Sequence, residues 1–351
     1  MSERFSWRLT EPGSPLEKVE GAGHPPGPDE ALVEVAGCGV CHTDLGFFDG
    51  SVRTISDLPL VLGHEIAGRV VETGAGASEW EGRQALVPAV IPCGECELCR
   101  VGRPNACIRQ VMPGNAIDGG FASHITVPAR HLTPIPVIPE GHTLADLSVI
   151  ADAVTTPLQA VRRAAVKDGD LAIVIGTGGI GSYAVQIAAA FGAQVVAVDL
   201  DPARLAPLAT RGAAATIPAG ELDARGVKER VQELARDWGS PRHGWKIFEC
   251  SGHPGGQETA FGLLGTAATL AVVGFTREKV SLRLSNLMAF DADAFGTWGC
   301  PPALYPEAVE LVVSGRVEVL PFTRRMPMED VNAALAEAQA GTDPRRIILI
   351  P

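Results

Sequence analysis

The pattern of apolar and polar positions changes near the middle of the chain. Residues 1 to about 155 show short apolar runs broken by frequent glycine and proline, which predicts short strands at residues 31–36, 65–72, 84–88 and 122–127. From Asp170 onward, apolar strand segments alternate regularly with helical segments, which is typical of βαβ units in a doubly wound parallel sheet. We therefore predict an α/β chain in which an irregular β-rich domain precedes a doubly wound one.

The alternating half indicates individual elements and domain limits. Apolar strands are predicted in LAIVIG, QVVAVD, WKIFECSG and ATLAVVGF, and helices in GIGSYAVQIAAAFG and at residues 227–238 and 256–264. After Trp298, a helix at residues 305–314 and a last strand, RRIILI, no longer fit this alternation. We expect domains at 1–155, with a small lobe at about 90–110, and at 156–298, and a segment 299–351 that returns to the first domain.

Composition narrows the class of protein. The 351 residues are 46% hydrophobic and carry a formal net charge of −12, which argues against binding to nucleic acid or to an anionic membrane. No apolar run approaches the roughly 18 residues of a membrane helix, and the charged, proline-containing N-terminus lacks a secretory signal, so we expect a cytoplasmic protein. In that compartment eight cysteines indicate metal binding more than disulfides.

Four of the cysteines form one local pattern. The segment CGECELCRVGRPNAC contains Cys93, Cys96, Cys99 and Cys107. Four thiolates within 15 residues fit a closed tetrahedral zinc site, which leaves no position for a substrate. The alternatives are four unrelated thiols or an iron–sulfur cluster, which usually shows different cysteine spacing. We interpret the quartet as a structural zinc site.

Two further motifs carry mixed metal ligands. GVCHTD at residues 39–44 and GHE at residues 63–65 place cysteine, histidine and carboxylate side chains in turn-like segments, a mixture that suits zinc with an open coordination position. Together with the cysteine quartet, these motifs make the whole chain resemble the zinc-dependent medium-chain alcohol dehydrogenases. The resemblance implies a GroES-like catalytic domain, a Rossmann nucleotide-binding domain and two zinc ions per chain, one catalytic and one structural.

The resemblance also implies roles for residues of these motifs. Cys41 and His64 match metal ligands of the family, and Asp152, in DAVTTPLQAV, stands where the family places its third ligand. Glu65 matches a glutamate behind the metal, and Asp44 matches an acid that orients the ligand histidine. The remaining matches concern the proton relay: Thr43 corresponds to the hydroxyl that takes the substrate proton, and Gly46 stands where many members carry a relay histidine. That departure implies another proton route, and either a roomier or a differently shaped pocket.

A glycine motif follows the first strand of the alternating half. Gly176, Gly178 and Gly181, with Gly179 and Ile180 between them, form G-x-G-x-x-G directly before a helix, which is the setting of a dinucleotide-binding turn. The glycines allow the pyrophosphate to approach the helix N-terminus. A carboxylate ends the second strand at Asp199, where it would accept hydrogen bonds from the adenosine ribose and repel a 2′-phosphate. The sequence therefore favours NAD over NADP.

The family resemblance adds further cofactor contacts and an assembly. It implies that Arg204 lies near the ribose, that His42 and Arg346 meet the pyrophosphate and that Thr156 lies beside the nicotinamide. Solvated surface charge is the alternative for both arginines. The resemblance also implies a homo-oligomer, with a tetramer favoured over a dimer.

Motifs leave the substrate, a small molecule, open. The segments MSERFSWRLTEPGSPLEKVE and HTDLGFFDGSVRT resemble the 6-hydroxycyclohex-1-ene-1-carbonyl-CoA dehydrogenases of anaerobic benzoyl-CoA degradation, which implies oxidation of a ring hydroxyl in a CoA thioester. Such a substrate would need cationic partners, for which the candidates are Arg53, Arg100, Arg103 and Arg283. One alternative is a general secondary or allylic alcohol dehydrogenase, and another is a non-catalytic nucleotide-binding scaffold.

Overall fold

A computed structural model describes residues 4–341 and 343–351 of the chain. The N-terminal segment that resembles CoA-thioester dehydrogenases begins at Met1, so its first three residues lie outside this description. The chain divides into two units. The first contains Met1–Thr155, Gly299–Ser314 and Val319–Pro351, and the second contains Thr156–Trp298 and Gly315–Glu318.

The strands of the described residues are short, and most contain a buried apolar stretch. They are β1 (Phe5–Leu9), β2 (Glu17–Glu20), β3 (Glu30–Gly39), β4 (Leu60–Val61), β5 (Glu65–Thr73), β6 (Gln84–Val87), β7 (His124–Pro128), β8 (Thr133–Pro134), β9 (Leu171–Ile175), β10 (Gln194–Asp199), β11 (Ala213–Pro218), β12 (Lys246–Glu249), β13 (Thr269–Val272), β14 (Asp293–Gly296), β15 (Thr323–Pro327) and β16 (Arg346–Ile350).

The helices are concentrated in the second half of the chain. They are α1 (His42–Phe48), α2 (Glu97–Arg100), α3 (Thr155–Arg163), α4 (Gly181–Ala190), α5 (Pro202–Leu205), α6 (Ala224–Asp237), α7 (Pro254–Gly262), α8 (Ser285–Phe290), α9 (Tyr305–Val313) and α10 (Val331–Ala340). Short 3₁₀ helices occur at Ala75–Trp80, Pro104–Ala106, Leu144–Ala151, Ala206–Thr210, Pro302–Leu304, Leu320–Phe322 and Met328–Asp330.

The first unit is built on a seven-stranded sheet. Its order is β15-β16-β3-β5-β6-β8, and β7 also pairs with β3; a smaller sheet has the order β2-β1-β4. The last strand of the chain reaches this sheet, because Ile348 and Leu349 pair antiparallel with Gly39 and Cys38. A large apolar core that includes Leu9, Ile66 and Phe121 fills the unit. The pairing of β16 with β3 places the end of the chain beside the start of GVCHTD.

The second unit is a six-stranded parallel sheet with the order β11-β10-β9-β12-β13-β14. All five residues of β9 are buried, as expected for a strand covered on both faces. The direction of strand addition reverses between β9 and β12, and ligands of such folds bind outside the carboxyl ends of the strands at this point. The predicted fold class, a β-rich GroES-like domain with a Rossmann domain, is confirmed.

The limits of several elements differ from the sequence predictions, and for two helices a residue in the capping position sets the start. The helix expected at 227–238 begins at Ala224, because the Asp223 side chain accepts a hydrogen bond from Gly226 N. The helix expected at 256–264 begins at Pro254, after His253 in the capping position. The strand expected at 122–127 covers His124–Pro128 instead. The elements β11, β14, α8 and α10 were not predicted, and β11, β14 and α8 contain few buried apolar positions.

The helices of the described residues include none that is long and apolar enough to cross a membrane.

Candidate metal centre and nucleotide site

The turn after β3 places Cys41 at the start of α1. Cys41 has extended backbone angles, φ −112° and ψ 157°, and its N–H donates a hydrogen bond to Asp44 Oδ2 over 2.9 Å. Gly39, two residues earlier, lies against the Glu65 side chain, and a Cβ there would lie 2.0 Å from Glu65 Oε2. Glycine is required at this position because the carboxylate occupies the space of a side chain.

Asp44 organises the metal-ligating segments. Its fully buried carboxylate accepts hydrogen bonds from the N–H groups of Cys41 and Gly63 and lies 3.0 Å from His64 Nδ1. When the Nδ1–H group donates a hydrogen bond to this carboxylate, the lone pair of His64 Nε2 is available to a metal. The orienting role predicted for Asp44 agrees with these contacts.

Four donor side chains converge beside α1. One ligand atom from each of Cys41, His64, Glu65 and Asp152 lies within 4.8 Å of the others. Asp152 Oδ2 is 3.6 Å from His64 Nε2 and 3.9 Å from Cys41 Sγ. Burial alone would lower the pKa of His64, but the charge of Asp44 and the hydrogen bond with Asp152 raise it well above its usual value. The cluster is therefore an anionic pocket that favours a cation.

Glu65 is paired on its far side with Arg346. Arg346 Nη1 donates a hydrogen bond to Glu65 Oε1 over 2.6 Å, and both side chains are almost fully buried. Burial raises the pKa of Glu65 to about 7, against the opposing effect of the Arg346 charge. The sequence prediction put Arg346 at the pyrophosphate, whereas in the structure its guanidinium holds a carboxylate of the metal-ligand cluster. A contact of Arg346 with a dinucleotide remains a prediction.

Thr43 and Gly46, the two positions assigned to the proton relay, lie in different surroundings. Thr43 Oγ1 lies 3.7 Å from Cys41 Sγ, at the edge of the donor cluster. Gly46, three residues further along α1, does not open an empty space, because a Cβ there would lie 3.1 Å from Val52 Cγ2 and 3.5 Å from Ser51 Oγ. Of the two alternatives raised by Gly46, the packing favours a differently shaped wall over a roomier pocket.

Tyr305 supports the third ligand and was not predicted from the sequence. Its buried hydroxyl donates a hydrogen bond to Ala151 O over 2.6 Å and accepts one from Ala89 N over 3.1 Å. Ala151 immediately precedes Asp152, so this hydroxyl fixes the backbone that carries the carboxylate. No local sequence signal identifies Tyr305, which lies more than 150 positions away.

The cysteine quartet is a separate cluster. The Sγ atoms of Cys93, Cys96, Cys99 and Cys107 all lie within 4.8 Å of one another. The pKa of Cys93 is lowered to about 6, mainly by a hydrogen bond from the backbone N–H of Glu95. The pKa of Cys99 is raised to about 12 by burial and by the neighbouring sulfurs. Four thiols this close together cannot all ionise without a cation to balance their charge, so this donor set fits zinc in a closed site.

The glycine motif forms the turn between β9 and α4. Gly176 has φ +83°, and a Cβ on Gly181 would lie 1.8 Å from Gly176 O, so both positions require glycine. A Cβ on Gly178 would have only Arg204 Nη1 nearby, at 3.7 Å. The open face at Gly178, together with Gly179 and Ile180 before the first turn of α4, is the geometry expected for close approach of a pyrophosphate.

Asp199 lies at the carboxyl end of β10, next to this turn. Its side chain is buried and accepts hydrogen bonds from Thr177 and from Asp201 N. Arg204 Nε lies 3.9 Å from Asp201 Oδ2. The structure thus brings together the predicted ribose-binding carboxylate, the glycine turn and Arg204.

Two family models match the chain. Residues 27–137 match the alcohol dehydrogenase GroES-like domain, and residues 179–314 match the zinc-binding dehydrogenase domain. L-galactonate-5-dehydrogenase of Escherichia coli (strain K12) is 30% identical over 315 residues, which cover 89% of this chain and 87% of that protein. The chain belongs to the zinc-type medium-chain alcohol dehydrogenase family.

Solved structures show the same fold for this dehydrogenase. Galactitol-1-phosphate dehydrogenase from Escherichia coli superposes with a TM-score of 0.88 at 26% identity, covering 99% of this chain and all of the other. A cobalt- and zinc-bound thermostable alcohol dehydrogenase from Pyrobaculum aerophilum gives a TM-score of 0.86 at 25% identity, with 99% and 100% coverage. The predictions of zinc chemistry and of an alcohol dehydrogenase are confirmed, whereas these relatives do not confirm the resemblance to CoA-thioester dehydrogenases.

The two remaining residues predicted to contact the cofactor, His42 and Thr156, lie at the starts of helices. His42 is exposed at the start of α1, and Thr156 is buried in the first turn of α3. Their contacts with a dinucleotide stay predictions. The open cluster of Cys41, His64 and Asp152, with Glu65 beside it, fits a catalytic zinc, and the cysteine quartet fits a structural one.

Proposed function

We propose that this dehydrogenase oxidises a secondary alcohol to a ketone with NAD⁺, at a zinc held by Cys41, His64 and Asp152. The observation that carries the proposal is the convergence of these three donors beside the Thr43 hydroxyl. Three protein ligands leave one position of a tetrahedral ion open, as catalytic zinc sites require. The quartet of thiolates has no such position.

The residues around this site have distinct tasks. Zinc, when bound, lowers the pKa of the alcohol hydroxyl and polarises the product carbonyl. Asp44 holds His64 in the tautomer that offers Nε2 to the metal. Thr43 takes the hydroxyl proton and passes it on. Bound NAD⁺ would accept the hydride, so that alcohol and NAD⁺ would become ketone, NADH and one proton. Glu65, paired with Arg346, lies beside the three ligands with one carboxylate oxygen unpartnered in the part of the chain that the structure describes.

The choice of NAD over NADP rests on Asp199. A carboxylate at the end of the second strand accepts hydrogen bonds from ribose hydroxyls and repels a 2′-phosphate. Its place beside the glycine turn supports this role. Among similar solved structures, one dehydrogenase is bound to NADP and another to NADH, so the family fold alone leaves the choice open.

The finer proposal for the substrate is 6-hydroxycyclohex-1-ene-1-carbonyl-CoA, oxidised to the 6-oxo product. Its support is the resemblance of the N-terminal segments and the altered wall at Gly46, where Val52 and Ser51 lie close to the position of a Cβ. Several relatives are named instead for a sugar acid, a polyol or a polyol phosphate, which favours a polyhydroxy substrate. The two substrate classes differ in the thioester and nucleotide portions of CoA.

A substrate panel tests the proposal. The zinc-loaded enzyme is assayed by NADH absorbance with the hydroxycyclohexenyl-CoA, with its free acid, and with secondary alcohols and polyols. Turnover of the CoA thioester at least ten times more efficient than that of the other compounds supports the finer proposal. Efficient oxidation of polyols with no reaction of the thioester overturns it and leaves the general dehydrogenase. No NADH from any compound, combined with only one zinc per chain, identifies a non-catalytic scaffold.

We also propose that the enzyme is a homo-oligomer, a tetramer rather than a dimer. The edge strand β14 of the parallel sheet is largely exposed, and exposed apolar side chains accompany it at Leu284, Met288 and Trp298. Unpaired edges and apolar patches are typical of association surfaces. Multi-angle light scattering tests this directly, and a mass near 36.7 kDa would identify a monomer instead.

A further inference from the structure

Thr177 makes two hydrogen bonds to the same atom of the proposed ribose-binding residue. Its backbone N–H donates to Asp199 Oδ2 over 2.7 Å, and its hydroxyl donates to the same oxygen over 3.1 Å. Asp201 N donates to the other oxygen, Oδ1, over 3.0 Å. Thr177 and Asp199 are 3% and 8% exposed, so water competes little for these bonds.

The hydrogen-bond capacity of Asp199 is unequal between its two oxygens. Each carboxylate oxygen has about two lone-pair sites. Both sites of Oδ2 are taken by Thr177, whereas Oδ1 has accepted only Asp201 N. Oδ1 is therefore the atom left to accept a ribose hydroxyl, and the carboxylate cannot rotate without breaking a bond to Thr177.

The hydroxyl of Thr177 is not required by the turn itself. The middle position of G-x-G contributes its backbone, and the tight approach at this turn concerns Gly176 and Gly181. A β-branched threonine has a restricted χ1 angle, so its hydroxyl is held in place when it meets Asp199. The side chain thus adds a constraint on the carboxylate beyond what the fold needs.

A cation nearby opposes the selectivity of Asp199. Arg204 is partly exposed, lies next to the open face of Gly178 and is only loosely paired with Asp201 at 3.9 Å. A guanidinium in this place attracts a 2′-phosphate. Rejection of NADP then depends on a carboxylate that cannot turn away from that phosphate.

We infer that Thr177 is a positioning residue for nucleotide selectivity, because its hydroxyl fixes Asp199 so that Oδ1 meets the adenosine ribose and the carboxylate charge stays in place against a 2′-phosphate. The inference rests on the proposed use of NAD. It assigns no contact between Thr177 and the reacting atoms.

Dissociation constants for NADH and NADPH test the inference without turnover. They are measured by nicotinamide fluorescence on the zinc-loaded protein for wild type, Thr177→Val and Thr177→Ser. Valine keeps the shape and the backbone bond but removes the hydroxyl. We expect it to weaken NADH binding about 3- to 10-fold, the effect of one hydrogen bond, while NADPH binding is unchanged or tighter. Serine restores the hydroxyl and should stay within about 2-fold of wild type.

The outcomes separate the possible failures. An unchanged ratio of NADPH to NADH dissociation constants in Thr177→Val, or an equal loss of both, overturns the positioning role. A wild-type protein that binds NADPH at least as well as NADH overturns the proposed cofactor, whatever the variant does. If thermal melting shows that Thr177→Val is misfolded, Thr177→Ala repeats the measurement with a smaller side chain and the same expected change in ratio.

Discussion

Arg346 Nη1 donates a hydrogen bond to Glu65 Oε1 over 2.6 Å, across 281 positions of sequence. The other carboxylate oxygen, Oε2, is buried and has no hydrogen-bond partner among the described residues. Glu65 also belongs to the cluster that includes Cys41, His64 and Asp152. A half-satisfied buried carboxylate is costly, and a cation in this cluster would relieve the cost.

This pair predicts a large effect of Arg346 on stability. Arg346→Met should lower the free energy of unfolding of the zinc-loaded protein by about 3 kcal/mol, because it leaves Glu65 buried without its counter-charge. Chemical denaturation measures this change. Arg345→Met is the matched control, because the neighbouring arginine forms a half-exposed ion pair with Asp343 and should cost about 1 kcal/mol or less. An equal decrease in the free energy of unfolding in both variants would show that the buried Arg346–Glu65 pair stabilises the fold no more than an exposed ion pair does.

The two donor clusters predict two separable zinc ions. The wild-type protein should contain two zinc per chain by elemental analysis, and His64→Ala and Cys99→Ser should each contain one. His64→Ala should keep its fold but lose turnover, whereas Cys99→Ser should mainly destabilise the lobe that carries the quartet. Cys38→Ser is the control, because Cys38 is buried outside both clusters and should leave both ions bound. Full zinc content in His64→Ala would contradict the ligand assignment.

Substitution by alanine should have different effects at two glycines of the nucleotide turn, one on stability and the other on NADH binding. Gly181→Ala should lower the melting temperature by several degrees, because its Cβ would lie 1.8 Å from Gly176 O. Gly178→Ala should leave the melting temperature nearly unchanged, since its Cβ meets no atom closer than 3.7 Å. It should weaken NADH binding about 10-fold or more if the pyrophosphate approaches there. Undiminished NADH affinity in Gly178→Ala would rule out that approach.

The ion pair between Asp146 and Arg325 should contribute to stability in a pH-dependent way. Arg325 donates to both of its oxygens, over 2.8 and 2.6 Å. Burial opposes ionisation, but the bonds from Arg325 and Thr143 outweigh it and lower the pKa of Asp146 below its usual 3.8. The stabilisation is therefore fully present above about pH 4 and is lost as the pH falls through the lowered pKa.

Asp146→Asn should reveal this contribution. The difference in unfolding free energy between wild type and variant should be about 2 kcal/mol at pH 7 and should shrink below pH 4. Acid release of zinc affects both proteins alike, so the difference isolates the ion pair. A constant difference from pH 3 to pH 7 would mean that Asp146 acts through packing or helix capping rather than through its charge.

The parts of the metal and nucleotide sites that are close in sequence were predictable from the sequence. The quartet lies within 15 residues, GVCHTD is one turn, and the glycine motif stands between a strand and a helix. Roles that depend on distant segments were not predictable. Tyr305 supports Asp152 across the fold, and Thr177 reaches Asp199 from another strand end. The predicted helix at 305–314 and the glycine motif contain these residues but do not indicate either partner.

The sequence by itself determined the alternation of strands and helices, the cysteine quartet and the glycine turn, because spacing along a chain fixes local geometry. The ligand set Cys41, His64 and Asp152 followed from the family resemblance. Only the tertiary structure decided that Arg346 faces Glu65, that Val52 and Ser51 lie close to the position of a Cβ at Gly46, and that Asp199 has one oxygen left for a ligand. Such contacts depend on how the chain folds back on itself, and buried polar groups favour arrangements that give them hydrogen-bond partners.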